Sequence, residues 1–214
     1  MRLYSYWRSS SAYRVRIALN LKGLEYELHP VHLVRNGGEQ HSERYRRINP
    51  QELVPALQCQ GEVITQSAAI IEFLEERWPA PSLLPAEPCA RARVRSLAQL
   101  IACEIQPLNN LRVLGQLRQR FGADEQQVRS WYLHWLEAGF SAFEAELERN
   151  AATADFCSGD APGLADAFLV PQVYNARRFD FDLTAYPTIE RIDANCASLP
   201  EFIAAAPENQ PDAP

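Results

Sequence analysis

Arg8-Ser9-Ser10-Ser11-Ala12-Tyr13-Arg14-Val15-Arg16 is the first stretch of this chain whose residue types and spacing could do chemistry. Hydroxyls placed just before an apolar-periodic run stand at a helix N-terminus, where unpaired N–H groups and the macrodipole favour an anion. The same serines also serve as simple caps. Two further elements lean toward the anion. Val54-Pro55 precedes a strand, and a cis bond there lets the Val54 N–H and C=O pair with an extended peptide as an added strand would. Gln66-Ser67 opens the next helix and offers a carboxylate a side-chain amide, a hydroxyl and free N–H groups. An anion or thiolate site, a backbone-pairing site and a carboxylate site then follow one another along one edge, suiting a small thiol-bearing peptide. Dithiol redox chemistry is excluded at the serine turn, because no Cys-x-x-Cys occurs there.

The elements that must hold these residues are legible in outline. Leu3–Trp7 reads as a strand, Ala12–Lys22 as a helix closed by Gly23, Glu25–Leu33 as a second strand and Gln40–Arg47 as a short polar helix. Val54–Gln58 and Val63–Thr65 flank a hairpin turn, and Ser67–Trp78 reads as a helix with Ser67 as its cap. This βαβαββα order, with a proline entering the third strand, predicts an α/β thioredoxin-like domain over residues 1–80. Four prolines crowd residues 79–88, so 81–88 reads as a linker. From Cys89 the apolar residues recur at helical spacing, which predicts an all-α domain over 89–214, with the Trp131/Trp135/Phe143 stripe as core.

Composition narrows the function classes. The chain has 214 residues and a net charge of −6, which argues against a nucleic-acid or anionic-membrane binder. The first 50 residues nevertheless carry nine Lys/Arg against four Glu, so the field favours a small anion there. Five dispersed cysteines, without pairs at ligand spacing or a neighbouring His ladder, support neither zinc nor a disulfide framework and fit a reducing compartment. No stretch approaches the ~20 apolar residues a membrane span needs, and the expected location is the cytoplasm. His29, His32, His41 and His134 take no chemistry, and the triplets Arg44/Arg46/Arg47 and Arg91/Arg93/Arg95 read as solvated helix faces.

Longer motifs carry a resemblance. Ser9-Ser10-x-x-x-Arg14-Val15-Arg16-Ile17-Ala18-Leu19, Asn49-Pro50-x-x-x-Val54-Pro55, Gln66-Ser67-x-Ala69-Ile70-Ile71-Glu72, Ile105-Gln106-Pro107-Leu108-x-Asn110-Leu111 and Leu169-Val170-Pro171-Gln172-Val173 with Asn175-Ala176-x-Arg178-Phe179 are similar to the zeta-class glutathione transferases, the maleylacetoacetate isomerase family. The similarity covers nearly the whole chain, and the Ser-Ser-x-x-x-Arg-Val-Arg-Ile motif is its specific part. Two positions depart from the family pattern. Ser11 stands where the family has Cys, and Gly163 where a Thr caps the helix containing Asp166.

The resemblance implies a glutathione transferase fold, a homodimer and glutathione as cofactor, with no metal. It implies a catalytic set of Ser9, Arg8 and Arg178, and a glutathione-binding set of Ser9, Ser10, Ser11, Arg14, Gln40, Val54, Pro55, Gln66, Ser67, Gln106, Asn110, Leu111 and Arg112. Arg177 competes with Arg178. The implied reaction is cis–trans isomerisation of maleylacetoacetate in tyrosine and phenylalanine breakdown: a thiolate adds to the conjugated double bond, the bond rotates, and the thiolate leaves. The alternatives are maleylpyruvate as the substrate, conjugation or dehalogenation of small electrophiles such as α-haloacids, and a transferase-like scaffold used for protein contacts.

Overall fold

The structure is a computed structural model that describes residues 1–214. It divides into two compact units, residues 1–83 with 197–214, and residues 84–196. The first unit holds β1 (Arg2–Ser5), α1 (Ser10–Leu21), β2 (Glu27–Pro30), α2 (Glu43–Arg46), β3 (Ala56–Cys59), β4 (Glu62–Thr65) and α3 (Ser67–Arg77). The strands form one sheet in the order β2-β1-β3-β4, with β1 and β2 parallel and the other pairs antiparallel. The β3–β4 hairpin turns through Gln60 and Gly61, both at positive φ, the backbone that a tight two-residue turn requires. The strands are shorter than the alternation suggested, four residues each.

Burial in this unit falls on the apolar side chains of β1, α1, β3 and α3; Leu3, Val15, Ile17, Leu57 and Ile70 are fully covered. Two arginines join them. Arg16 has no exposed surface and spends its guanidinium on main-chain and hydroxyl acceptors: Nε donates to the Ala205 carbonyl (2.9 Å), Nη1 to Ser5 Oγ (3.1 Å) and Tyr6 C=O (3.4 Å), and Nη2 to Trp7 C=O (3.0 Å). A buried charge persists only when its donors are satisfied. Arg16 thereby fastens the chain from β1 to the serine turn. The Trp7 N–H donates to Asp212 Oδ2 at 3.0 Å, so the tail braces the same turn. The pattern-based assignment put 89–214 in one helical domain, whereas residues 197–214, with α9 (Pro200–Ala205), group with the first unit. The reason is packing: α9 lies on α1, and Asn20 Nδ2 donates to the Glu201 carbonyl at 2.9 Å.

The second unit is helical: α4 (Pro88–Gln99), a π-helical turn over Leu100–Ile105, α5 (Leu111–Phe121), α6 (Glu125–Glu148), α7 (Leu164–Arg178) and α8 (Pro187–Ala197). Its core is built on Ile101, Ile105, Leu136, Phe140, Phe143 and Phe168. Gly139 on α6 is required, since a Cβ there would overlap the Ile105 side chain. The Trp131/Trp135 pair is half-buried, in edge contact at 5.6 Å, and only Phe143 of the expected stripe is fully buried. His134, on the same helix, is exposed.

The second arginine triplet is not a solvated face. Arg93 donates to the Cys157 carbonyl (2.9 Å) and to Thr153 Oγ1 (2.7 Å), and Arg91 to the Pro85 carbonyl (3.1 Å). The Arg93 acceptors lie 64 and 60 residues along the chain, outside the reach of helical periodicity. Asp166 keeps half of its capping box without a hydroxyl partner: Oδ2 accepts the Gly163 N–H at 2.8 Å, and Oδ1 accepts the Cys157 N–H at 2.9 Å. Burial nonetheless pushes its carboxyl above the usual range. All five cysteines are free, and no helix is long and apolar enough to cross a membrane.

Candidate active site

The serine turn of the first unit folds as its sequence suggests. Ser9 is the N-cap of α1, with extended backbone, and its Oγ accepts the Ala12 N–H at 3.3 Å. Capping uses a lone pair and leaves the hydroxyl proton to donate, so the capping and anion-binding roles of Ser9 are compatible. Ser10 is buried as the first helical residue, and Ser11 is half-buried behind it. Arg8 is half-buried, with its guanidinium 5.4 Å from the centre of the Trp7 ring.

Arg14 is 2% exposed, and its Nη1 donates to Ser67 Oγ at 3.3 Å. This bond ties the N-terminus of α1 to that of α3 and places a cation beneath both. Ser67 is the first helical residue rather than the cap. Gln66 occupies the cap position at φ 69° and ψ 121°, without a side-chain cap bond. A left-handed glutamine costs on the order of 1–3 kcal/mol and persists where its surroundings hold it. Here the Gln66 side-chain amide donates to Gln51 Oε1 at 2.8 Å.

Gln51 belongs to a loop that the sequence marked only as the Asn49-Pro50 motif. Asn49 is 1% exposed; its Oδ1 accepts the Gln51 N–H at 3.0 Å and its Nδ2 donates to the Leu53 carbonyl at 2.8 Å. This turn leads into Val54–Pro55, whose bond is cis. Neither the N–H nor the C=O of Val54 takes part in a backbone hydrogen bond. On the other side of the loop, Glu52 contacts His41 and accepts from Arg46 Nε at 3.0 Å. The His41 hydrogen bond, working against a little burial and with help from Arg46, holds the Glu52 carboxyl below its ordinary value. His41 in turn touches Gln40. Asn49, Gln51, Glu52 and His41 are thus support that sequence reasoning left unassigned. Only the asparagine before a proline hinted at it.

The first unit matches the model of the glutathione S-transferase N-terminal domain over residues 8–77. A maleylacetoacetate isomerase of Pseudomonas aeruginosa is 52% identical over 215 residues, 100% of this chain and 99% of the relative. A solved maleylpyruvate isomerase, described as a bacterial zeta-class glutathione S-transferase, superposes with a TM-score of 0.97 at 50% identity, over 100% of both chains. The chain belongs to the zeta-class glutathione transferases. A maleylacetoacetate isomerase of Methylobacterium extorquens, solved with malonate and glutathione bound, is 40% identical with a TM-score of 0.95, over 100% of both chains.

In this zeta-class chain the expected residues of the second unit fall at two places. Gln106 follows the π-helical turn, and its N–H bonds the Ile101 carbonyl at 3.0 Å. Asn110 caps α5, its Oδ1 accepting from the N–H groups of Arg112 (3.0 Å) and Val113 (3.1 Å), while Leu111 and Arg112 are exposed. A π-turn beside expected binding positions is a common functional association. No sequence signal revealed it. Arg178 is exposed at the end of α7, where its charge partly offsets the burial that pushes the Tyr132 hydroxyl upward. Arg177 is committed elsewhere, 2.6 Å from the buried Asp193 carboxylate. That ion pair leaves Arg178 as the candidate of the two.

Proposed function

We propose that this chain is a glutathione-dependent cis–trans isomerase of an unsaturated keto diacid, with maleylacetoacetate as substrate, and that the first unit is its glutathione-binding domain. The observation carrying the proposal is Ser9, which caps α1 yet keeps its own proton to donate. The residues present fit glutathione: Val54 has an unused backbone N–H and C=O, and Gln40 Oε1 is buried without a partner.

When bound, glutathione supplies a thiolate that adds reversibly to a conjugated double bond. Ser9 donates a hydrogen bond to the sulfur, and the α1 N-terminus adds its field. Holding a thiol of pKa ~8.5 as thiolate at neutral pH takes about 2.7 kcal/mol. A hydrogen bond to a charged group contributes ~1.5–3 and a helix N-terminus ~0.3–2, so the two together suffice without a base. Val54 pairs with the ligand backbone. Gln66 and Ser67, backed by the Arg14 cation, receive a carboxylate at the start of α3. Ser10, Ser11 and Pro55 line the same turns, while Gln106, Asn110, Leu111 and Arg112 are proposed from the family resemblance.

Arg8 and Arg178 are proposed to bind the carboxylates of the diacid. Replacing either by Met is expected to lower kcat/KM for the diacid by about 2–3 kcal/mol, and replacement by Lys less, because Lys keeps charge without the planar fork. Turnover of a neutral electrophile by the same variants should hardly change. Parallel loss on both substrates would assign the arginines to the fold instead.

Maleylpyruvate is the second reading, favoured by the 0.97 TM-score to a maleylpyruvate isomerase. Ultraviolet detection of glutathione-dependent conversion, run on both cis acids in competition, separates the two. Net consumption of glutathione would mean a conjugating transferase. A homodimer in the cytoplasm belongs to the same proposal; five free cysteines support the reducing compartment, and sedimentation equilibrium checks the dimer.

A further inference from the structure

Gln40, His41 and Glu52 form a chain of side chains with a direction. Glu52 Oε2 contacts His41 Nδ1, and His41 Nε2 lies 3.0 Å from Gln40 Nε2. A carboxylate only accepts, so Nδ1 carries a proton; in a neutral ring Nε2 is then an acceptor and the Gln40 amide donates to it. The same Nε2 of Gln40 also donates to the Leu33 carbonyl at 3.4 Å. Gly38, at φ 104°, leaves room for this amide, which a Cβ there would overlap. With both donors turned toward the protein, Gln40 Oε1 is left buried and without a partner. A buried acceptor in that state is costly until a donor meets it.

We propose that His41 is a positioning residue for glutathione: its neutral form, oriented by the bond from Nδ1–H to Glu52, directs the Gln40 carbonyl oxygen at a ligand N–H, and protonation of His41 undoes this. The inference rests on the reading that the first unit binds glutathione. Once protonated, both ring nitrogens donate, so His41 Nε2–H opposes the Gln40 amide N–H. Turning the amide over relieves that clash but sets Oε1 against the Leu33 carbonyl, two acceptors face to face. Neither arrangement serves the ligand.

The other charged groups around His41 are engaged or solvent-facing. Glu39 Oε2 accepts the His32 N–H at 2.8 Å, and His32 Nδ1 accepts the N–H groups of Val34 and Arg35. Glu43 pairs with Arg47, Arg46 with Glu52, and Arg44 is exposed. Binding therefore favours the neutral imidazole, so protonation of the ring weakens binding, and binding to the protonated form releases a proton.

Isothermal titration calorimetry with S-methylglutathione, whose sulfur does not ionise, tests this at pH 5.5, 6.5 and 7.5 in buffers of different ionisation enthalpy. The expected result is affinity about tenfold weaker at pH 5.5 than at 7.5, within the limit for one linked proton, together with proton release. His41→Phe should bind about tenfold more weakly at pH 7.5 and show no pH dependence. His41→Gln, which offers a non-titrating acceptor, should also be flat but near the native affinity at pH 7.5. A flat native profile, or a slope that survives in His41→Phe, overturns the role of His41 while the glutathione reading stands. Absence of native binding at every pH overturns that reading and this proposal together.

Discussion

Ser9→Ala is expected to lower kcat/KM for the isomerisation by roughly 10²-fold or more, because it deletes the hydrogen bond donated to a charged sulfur. The same change removes the cap on the Ala12 N–H, which by itself costs about 1 kcal/mol of stability. The two effects are separable. Ser9→Asp keeps an acceptor for the Ala12 N–H but has no proton to give at neutral pH, so it should restore the melting temperature without restoring activity. Bound glutathione should also lose its thiolate in the alanine variant at neutral pH, seen as a rise in the thiol pKa by direct titration. Ser11, half-buried on the first turn of α1 and outside the cap, should tolerate alanine within a few-fold. Equal losses at Ser9 and Ser11 would remove Ser9 from the sulfur.

Lys22→Met is expected to destabilise the chain by about 3–5 kcal/mol, which at this size lowers Tm by roughly 6–20 °C. The Lys22 ammonium has no exposed surface and places three donor contacts, to Glu75 Oε2 (2.7 Å), the Trp78 carbonyl (2.7 Å) and the Pro81 carbonyl (2.9 Å). Glu75 is filled from its side too, by the Ser82 hydroxyl (2.6 Å) and the Leu83 N–H (3.0 Å). The pair joins the ends of α1 and α3 to the proline-rich segment. Removing the cation strands a buried carboxylate, whereas Lys22→Met with Glu75→Leu removes both charges and should recover most of the loss. Burial alone would raise the Glu75 carboxyl, but Lys22, Ser82 and Leu83 more than offset it and hold it below the usual range. The contribution of Glu75 is therefore present above the ordinary carboxylate pKa of ~4.3 and disappears as pH falls through the native value. In Lys22→Met nothing offsets burial to the same degree, so the deficit should be greatest near pH 7 and shrink toward pH 4. A Tm difference that is small or independent of pH between 4 and 7 would contradict a buried ion pair.

Much of the first unit was legible because its signals are local. The hydroxyls before an apolar run make Ser9 a cap, Gly61 marks a turn between two short strands, though the turn is Gln60-Gly61 and not the Gly61-Glu62 that the sequence suggests, and Val54-Pro55 marks the entry to β3. Each depends on hydrogen bonds and dihedral preferences within a few residues, which composition at those positions largely dictates. The Asn49 turn was half legible. Its motif was visible, but not that Gln51 would reach Gln66 on one side while Glu52 reached His41 on the other.

The order of elements, the position of the serine turn and the family whose motifs surround it were all readable from residue types and spacing. The fate of the charges was not, because it rests on contacts made by the folded chain. Arg14, Arg16 and Lys22 look like surface residues by type, and Arg93 looks like part of a solvated helix face, yet each places at least one donor on a partner distant in the chain. The Ile105 side chain, at the end of the π-turn over Leu100–Ile105, likewise occupies the space left at Gly139, 34 residues further on. The physical reason is the same in both cases. Local periodicity sets which backbone groups pair, but whether a charge or a widened helical turn is tolerated depends on desolvation and fit against partners that only the folded chain brings near.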